Sequence, residues 1–139
     1  MLEIKELTRV YGRFTALDRL SLSIGDGVLH GFVGPNGAGK TTTMRILATL
    51  LAPTSGTALI DGVDVCREPR RVRSLVGYMP DFFGVYDNLK SREYLDFYAR
   101  CYGFGAKDRS RMIDQLLELV HLGDKREVYV DSLSRGMKQ

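Results

Sequence analysis

The chain has 139 residues, 44% hydrophobic and 27% charged, with a formal net charge of +3. That length suits one domain able to bury roughly two-thirds of the surface its unfolded chain exposes, and the composition excludes a disordered or fibrous protein. The one dense basic run, Arg67, Arg70, Arg71 and Arg73, is broken by Glu68 and Pro69 and has no interleaved aromatics, so it reads as a solvated face and no nucleic-acid partner is expected.

Leu2, Ile4 and Leu7 open a first strand, and after Gly12 the alternation of Leu20, Leu22 and Ile24 with Ser21 and Ser23 predicts a second, half buried. Gly25-Asp26-Gly27 turns into a largely apolar run, 28–33, with the character of a buried parallel strand. A helix follows, with Met44, Ile46, Leu47, Leu50 and Leu51 at helical spacing, and Ala52-Pro53-Thr54-Ser55-Gly56 stops it. Residues 57–60 resume a strand that turns at Asp61-Gly62, residues 69–73 read as a short surface helix, and 75–79 as a strand closed by Pro80. Two amphipathic helices come next. The first carries Tyr94, Leu95, Tyr98, Cys101 and Tyr102, with Ser91 as N-cap, and its aromatic stripe is read as helix-to-helix core packing; the second carries Met112, Ile113, Leu116, Leu117 and Val120, with Gly123 as its stop. Capping residues in 131–139 announce the opening of one more helix.

Between the apolar run and the first helix, Gly34-Pro35-Asn36-Gly37-Ala38-Gly39-Lys40-Thr41-Thr42 matches G-x-x-x-x-G-K-[ST] without a mismatch, in the strand-loop-helix setting this motif requires. Gly34, Gly37 and Gly39 let the backbone curl so that successive N–H groups, among them those of Asn36 and Ala38, line an anion nest. The same donors lie at the positive end of a helix. Lys40 supplies a charge for the β and γ phosphates of a nucleotide, the Thr41 hydroxyl is placed for Mg2+, and Thr42 for the α phosphate.

Other chemistry is sparse. Cys66 and Cys101 lie far apart, with no C-x-x-C and no histidine at ligand spacing, which suggests a reducing cytosol with neither disulfide nor zinc. His30 and His121 are single, and each reads as a packing or surface residue. The N-terminus has no secretory core, and no apolar run approaches the ~20 residues that span a bilayer, so a membrane partner is expected to be another chain or to lie beyond this one.

GPNGAGKTTTMRIL, then PTSG, then VGYMPD, then LSRGMKQ, resembles the ATP-binding cassette (ABC) ATPases from end to end, the exporter-type cassettes in particular. The resemblance implies an α/β P-loop NTPase fold: an antiparallel β subdomain, an incomplete parallel core sheet and the start of an α-helical subdomain. Residues 1–139 would be one ATP-binding domain, about 1–80 the β/P-loop core and about 87–139 the helical subdomain. It implies that Tyr11, in VYGRFTALD, stacks on adenine, where the residues alone allow equally a partly buried side chain at a loop end. Leu133-Ser134-Arg135-Gly136-Met137 corresponds to the family signature, usually LSGGQ, whose serine and helix start meet the γ phosphate held by a second subunit in a head-to-tail dimer. Arg135 and Met137 depart from that pattern, while Ser134 and Gly136 keep it.

A further departure is Asp81, which stands where the family places a glutamine that approaches Mg2+ and the attacking water. A carboxylate can accept either, with shorter reach and a charge that repels phosphate; the alternative is a turn aspartate before Phe82 and Phe83. The family's Walker B aspartate, catalytic glutamate and switch histidine all follow the signature and have no counterpart up to Gln139. The chain by itself is therefore expected to bind ATP poorly and hydrolyse it negligibly, and to leave the apolar edge at 28–33 uncovered. By resemblance the complete protein is an ATPase subunit, peripheral on the cytoplasmic face of the inner or plasma membrane, that couples ATP binding and hydrolysis to export through separate transmembrane permease subunits. The alternatives are a soluble ABC protein of translation or DNA maintenance, and a nucleotide-binding fragment without catalysis.

Overall fold

The computed structural model describes residues 1–80, 84, 86 and 88–139, in two compact units, Met1–Tyr78 and Met79–Gln139. In the first, β1 (Leu2–Tyr11) and β2 (Phe14–Ile24) form a hairpin, closed by a turn in which Gly12 takes φ 58°. β3 (Ser55–Ile60) lies on the other side of β1 and pairs with the short β4 (Val63–Asp64), so that the order is β2-β1-β3-β4 and every pairing is antiparallel.

The expected alternation holds along β2: Leu20, Leu22 and Ile24 are half-buried, and Ser21 and Ser23 exposed. The hairpin register shifts between Ile4 and Leu7, near Glu6, and Arg19 also has positive φ. Side chains complete the pairing there. Glu6 N–H donates to Ser21 Oγ and Arg19 N–H to Thr8 Oγ1, each at 3.0 Å. Gly56 is required where β3 meets this irregularity, because its φ is +77° and a Cβ would come within 2.2 Å of the Glu6 carbonyl oxygen.

Ile4, Leu7, Leu17 and Ala58 of the sheet, with Val63 and Val65, build the core of this unit. Onto it α1 (Lys40–Leu47) packs Ile46, and α2 (Pro69–Leu75) packs Val72. Two sequence expectations fail. Neither 28–33 nor 75–79 is a strand: Leu75 ends α2, Val76 is extended without a ladder, and Val28, Leu29 and Val33 stand exposed, Leu29 fully. An apolar run of this kind becomes a strand by hydrogen bonding to neighbours on both sides. Among the described residues none pairs with either segment, so the parallel core sheet is not formed there.

The second unit is helical. α3 (Ser91–Cys101) and α4 (Ala106–Leu119) are followed by 3-10 turns at Gly123–Lys125 and Val130–Ser132, and by α5 (Arg135–Lys138). Ala99, Ile113, Leu117 and Val130 are the buried apolar residues among those described in it. The aromatic stripe of α3 is not that core, since Tyr98, Cys101 and Tyr102 are exposed. Rings instead pack along the helix: Tyr94 and Tyr98 lie 4.9 Å apart, and burial, then Tyr98, pushes the Tyr94 phenol up to about 12.

Both expected helix ends also move. Ser91 is the first residue of α3 rather than its cap, because its N–H and hydroxyl both donate to the Val128 carbonyl; Glu93 instead accepts from Lys90 N–H at 3.0 Å. At the end of α4 the left-handed residue is His121, φ 57°, two places before Gly123. No helix among the described residues is long and apolar enough to cross a membrane.

α3 and α4 are tied by Asp96, which accepts from Arg109 Nε at 2.6 Å and from Arg100 Nε at 2.7 Å, while Arg109 Nη1 donates to the Phe104 carbonyl. Arg109 first, then Arg100, holds the Asp96 carboxyl below its ordinary 3.8. A depressed folded value contributes stability above the unfolded pKa that is lost as pH falls through the folded one. Asp96→Asn should therefore lower the melting temperature at neutral pH, by an amount that shrinks below about pH 4. A difference between parent and variant that stays constant through the acid range would exclude the charge as its cause.

Candidate functional site

The glycine loop and α1 form one continuous device in the first unit. Gly37 and Gly39 have φ of 85° and 83°, both in the left-handed region, and Ala38 N–H closes a turn on the Pro35 carbonyl. The helix starts at once, with Thr43 N–H donating to the Gly39 carbonyl at 2.8 Å. No side chain caps α1, and its first turn holds no acidic residue. The N–H groups at its positive end are therefore left for an anion. Lys40 arches over the loop, its ammonium donating to the carbonyls of Gly34 and Pro35. Thr41 is exposed and Thr42 half-buried beside it, and a Cβ on Gly37 would meet nothing within 4 Å.

What aims this loop is a contact that motif matching does not disclose. A Cβ on Gly39 would lie 2.5 Å from the Ala16 carbonyl oxygen and 3.3 Å from Leu17 Cδ1, so the start of α1 rests on β2, backbone against backbone. Leu17 is the cross-strand partner of Arg9, two residues from Tyr11. The loop and the end of β1 thus share one frame, and Tyr11 is partly exposed there, at 42%. Thr43 is also newly visible: it is buried, and its hydroxyl donates to the Gly39 carbonyl at 3.0 Å. The third threonine of the TTT run was its only signal.

Ser134 and Gly136 belong to the second unit. Ser134 is the N-cap of α5, with Met137 N–H donating to its Oγ at 3.4 Å, and a Cβ on Gly136 would be unobstructed. Asp81 lies outside the described residues, as do Phe82 and Phe83. Two recesses lie elsewhere. One of about 490 Å3 is bordered by Leu2, Ile24, Val28, Met44 and Val76, beside the two unpaired apolar segments rather than at the glycine loop.

The donor set fits a triphosphate: uncapped amides, a glycine-lined turn and one ammonium. For Mg2+ the loop offers the Thr41 hydroxyl, and the described residues hold no group of three His, Cys, Asp or Glu. Such an ion would take its other ligands from phosphate oxygens and water, as Mg2+ commonly does. The Gly39 contact is open to direct test. Gly39→Ala should destabilise the full-length protein by about 2–4 kcal/mol through strain at positive φ and the clash with Ala16. An unchanged urea midpoint would show that α1 does not need that approach.

Comparison with known proteins agrees with this geometry. The family model described as ABC transporter matches residues 17–139. The probable multidrug ABC transporter ATP-binding protein YbhF of Escherichia coli K12 is 36% identical over 139 residues, all of this chain and 24% of its own length. The Nod factor export ATP-binding protein I of Paraburkholderia xenovorans LB400 is 37% identical over 138 residues, 99% of this chain and 45% of its own. Among solved structures, an ATP-binding subunit of an ABC transporter superposes with a TM-score of 0.84 at 28% identity, over 99% of this chain and 57% of that one. The chain thus spans a quarter to under half the length of these curated relatives. With the family match running through the glycine loop and on to residue 139, the chain belongs to the ABC transporter family.

Proposed function

We propose that the full-length protein binds MgATP and, as a peripheral subunit on the cytoplasmic side of a membrane, couples its hydrolysis to export through separate transmembrane subunits. The observation that carries this reading is the uncapped, acid-free start of α1 under the arch of Lys40. Backbone amides of Gly34, Asn36, Gly37, Ala38 and Gly39 would hold the phosphates, Lys40 would neutralise the β and γ oxygens, and Thr42 would reach the α phosphate. Thr41, and by resemblance Asp81, would serve Mg2+, whose charge supports phosphoryl transfer. Tyr11 would stack on adenine.

Residues 1–80 would form the nucleotide-holding core and 87–139 the helical subdomain. The latter offers Ser134 and Gly136, at the start of α5, to nucleotide held by a second cassette in a head-to-tail dimer. Residues serving as Walker B aspartate, catalytic glutamate and switch histidine would come from polypeptide outside these 139. The names of the relatives, a probable multidrug transporter protein and a Nod factor export protein, support the direction of transport.

Two substitutions in the full-length protein separate these roles. Lys40→Ala should cost on the order of 2–5 kcal/mol of nucleotide affinity, as truncating one side of a desolvated charge pair does; unchanged ATP affinity by calorimetric titration would reject its role. Ser134→Ala should leave ATP capture by the monomer near the parent value and slow turnover. Loss of monomer binding as severe as that of the Lys40 variant would refute action across a dimer.

A further inference from the structure

We propose that Arg9 is a positioning residue for Tyr11: its guanidinium backs one face of the phenol ring and leaves the other face to a purine. The inference rests on the reading of Tyr11 as the adenine platform and adds to it the group that sets the platform's orientation.

Arg9 and Tyr11 are two residues apart near the end of β1, and the Arg9 guanidinium carbon lies over the Tyr11 ring, 4.5 Å from its centroid. That is well within the distance at which a cation is drawn to an aromatic face. Two further observations show that the guanidinium is held rather than swinging in solvent. Its Nη1 donates to the Ala52 carbonyl at 2.9 Å, and its Nε is shut away from solvent with no hydrogen-bond partner. A buried donor without an acceptor is costly, and the guanidinium that carries it lies against the electron-rich face of Tyr11. The next residue is tethered in the same way, Val10 N–H donating to Thr54 Oγ1 at 2.9 Å.

Ala52 and Thr54 belong to the segment that leaves the α1 region, while the N-terminal end of α1 carries the glycine loop. One short helix therefore relates the two halves of the site. Its start aims the phosphate donors, and the segment beyond its end holds Arg9, which holds the ring. A ring fixed on one face and 42% exposed overall can take a planar base without first giving up rotamer freedom. Arg9 would not touch the phosphates, so its contribution should appear only for ligands that carry a base.

The test is a double-mutant cycle on the full-length protein, titrated with MgATP and, separately, with inorganic tripolyphosphate and Mg2+. Arg9→Met should weaken ATP about two- to fivefold, the range of a partly exposed cation-aromatic contact, and leave tripolyphosphate unchanged. Arg9→Lys should recover most of the loss. In a Tyr11→Ala background Arg9→Met should have no further effect. Equal losses for both ligands, no loss for ATP, or a loss that persists without the Tyr11 ring would each overturn the role of Arg9. Tyr11→Ala leaving the preference for ATP over tripolyphosphate untouched would remove the adenine platform itself, and Arg9 with it. Should Arg9→Met fail to fold, Arg9→Gln, which keeps a donor for the Ala52 carbonyl, is read by the same criteria.

Discussion

The approach of Gly39 to the Ala16 carbonyl is the constraint from which the nucleotide-loop half of the molecule follows. Backbones can come this near only where one residue has no Cβ, and the left-handed φ of Gly39 is what turns the chain from loop into helix at the same point. The helix then begins with its amides facing out of the loop and its apolar side, through Ile46, on the sheet. Buried Thr43 fastens the first turn from beneath, hydroxyl and amide both donating to Gly39. A helix start built this way is rigid because its N–H donors belong to the backbone, and the backbone is pinned by a strand.

The same unit shows how differently antiparallel and parallel segments behave. The four antiparallel strands are neighbours through short turns or direct pairing, and their bulges are closed by Ser21 and Thr8 hydroxyls. Segments 28–33 and 75–79 are also largely apolar but have no ladder among the described residues; Val28 and Tyr78 border an open recess, and Val76, which borders it too, packs against the core. Apolar content makes burial favourable; hydrogen-bonded neighbours make a strand.

In the helical unit, a small apolar core is supplemented by charge pairs. Asp96 joins α3 to Arg109 of α4, Glu127 accepts from Lys90 at 2.9 Å and from Arg92 at 2.7 Å, and Arg126 pairs with Asp114. Lys90 holds the Glu127 carboxyl below its usual range. Most of these groups are well exposed, so each contributes modestly. They fix the entry to α3 and the path from α4 towards Ser134, leaving the aromatic side chains of α3 free of the structural duty their spacing suggested.

Much of the fold was legible because its signals are local. Alternating Leu and Ser foretold β2, Asp61-Gly62 the turn before β4, Pro69 the first residue of α2, and G-x-x-x-x-G-K-T both the loop and the helix behind it. Helix ends were less legible, since Ser91 and Gly123 are good caps by type while the carbonyl of Val128 and the left-handed turn at His121 decide otherwise. The sequence by itself determined which backbone could curl tightly ahead of α1, for glycine spacing is a property of adjacent residues. Only the tertiary structure decided that Ala16 would support that loop, that Arg9 would lie on Tyr11, and that 28–33 would form no strand, because each depends on segments brought together from elsewhere in the chain.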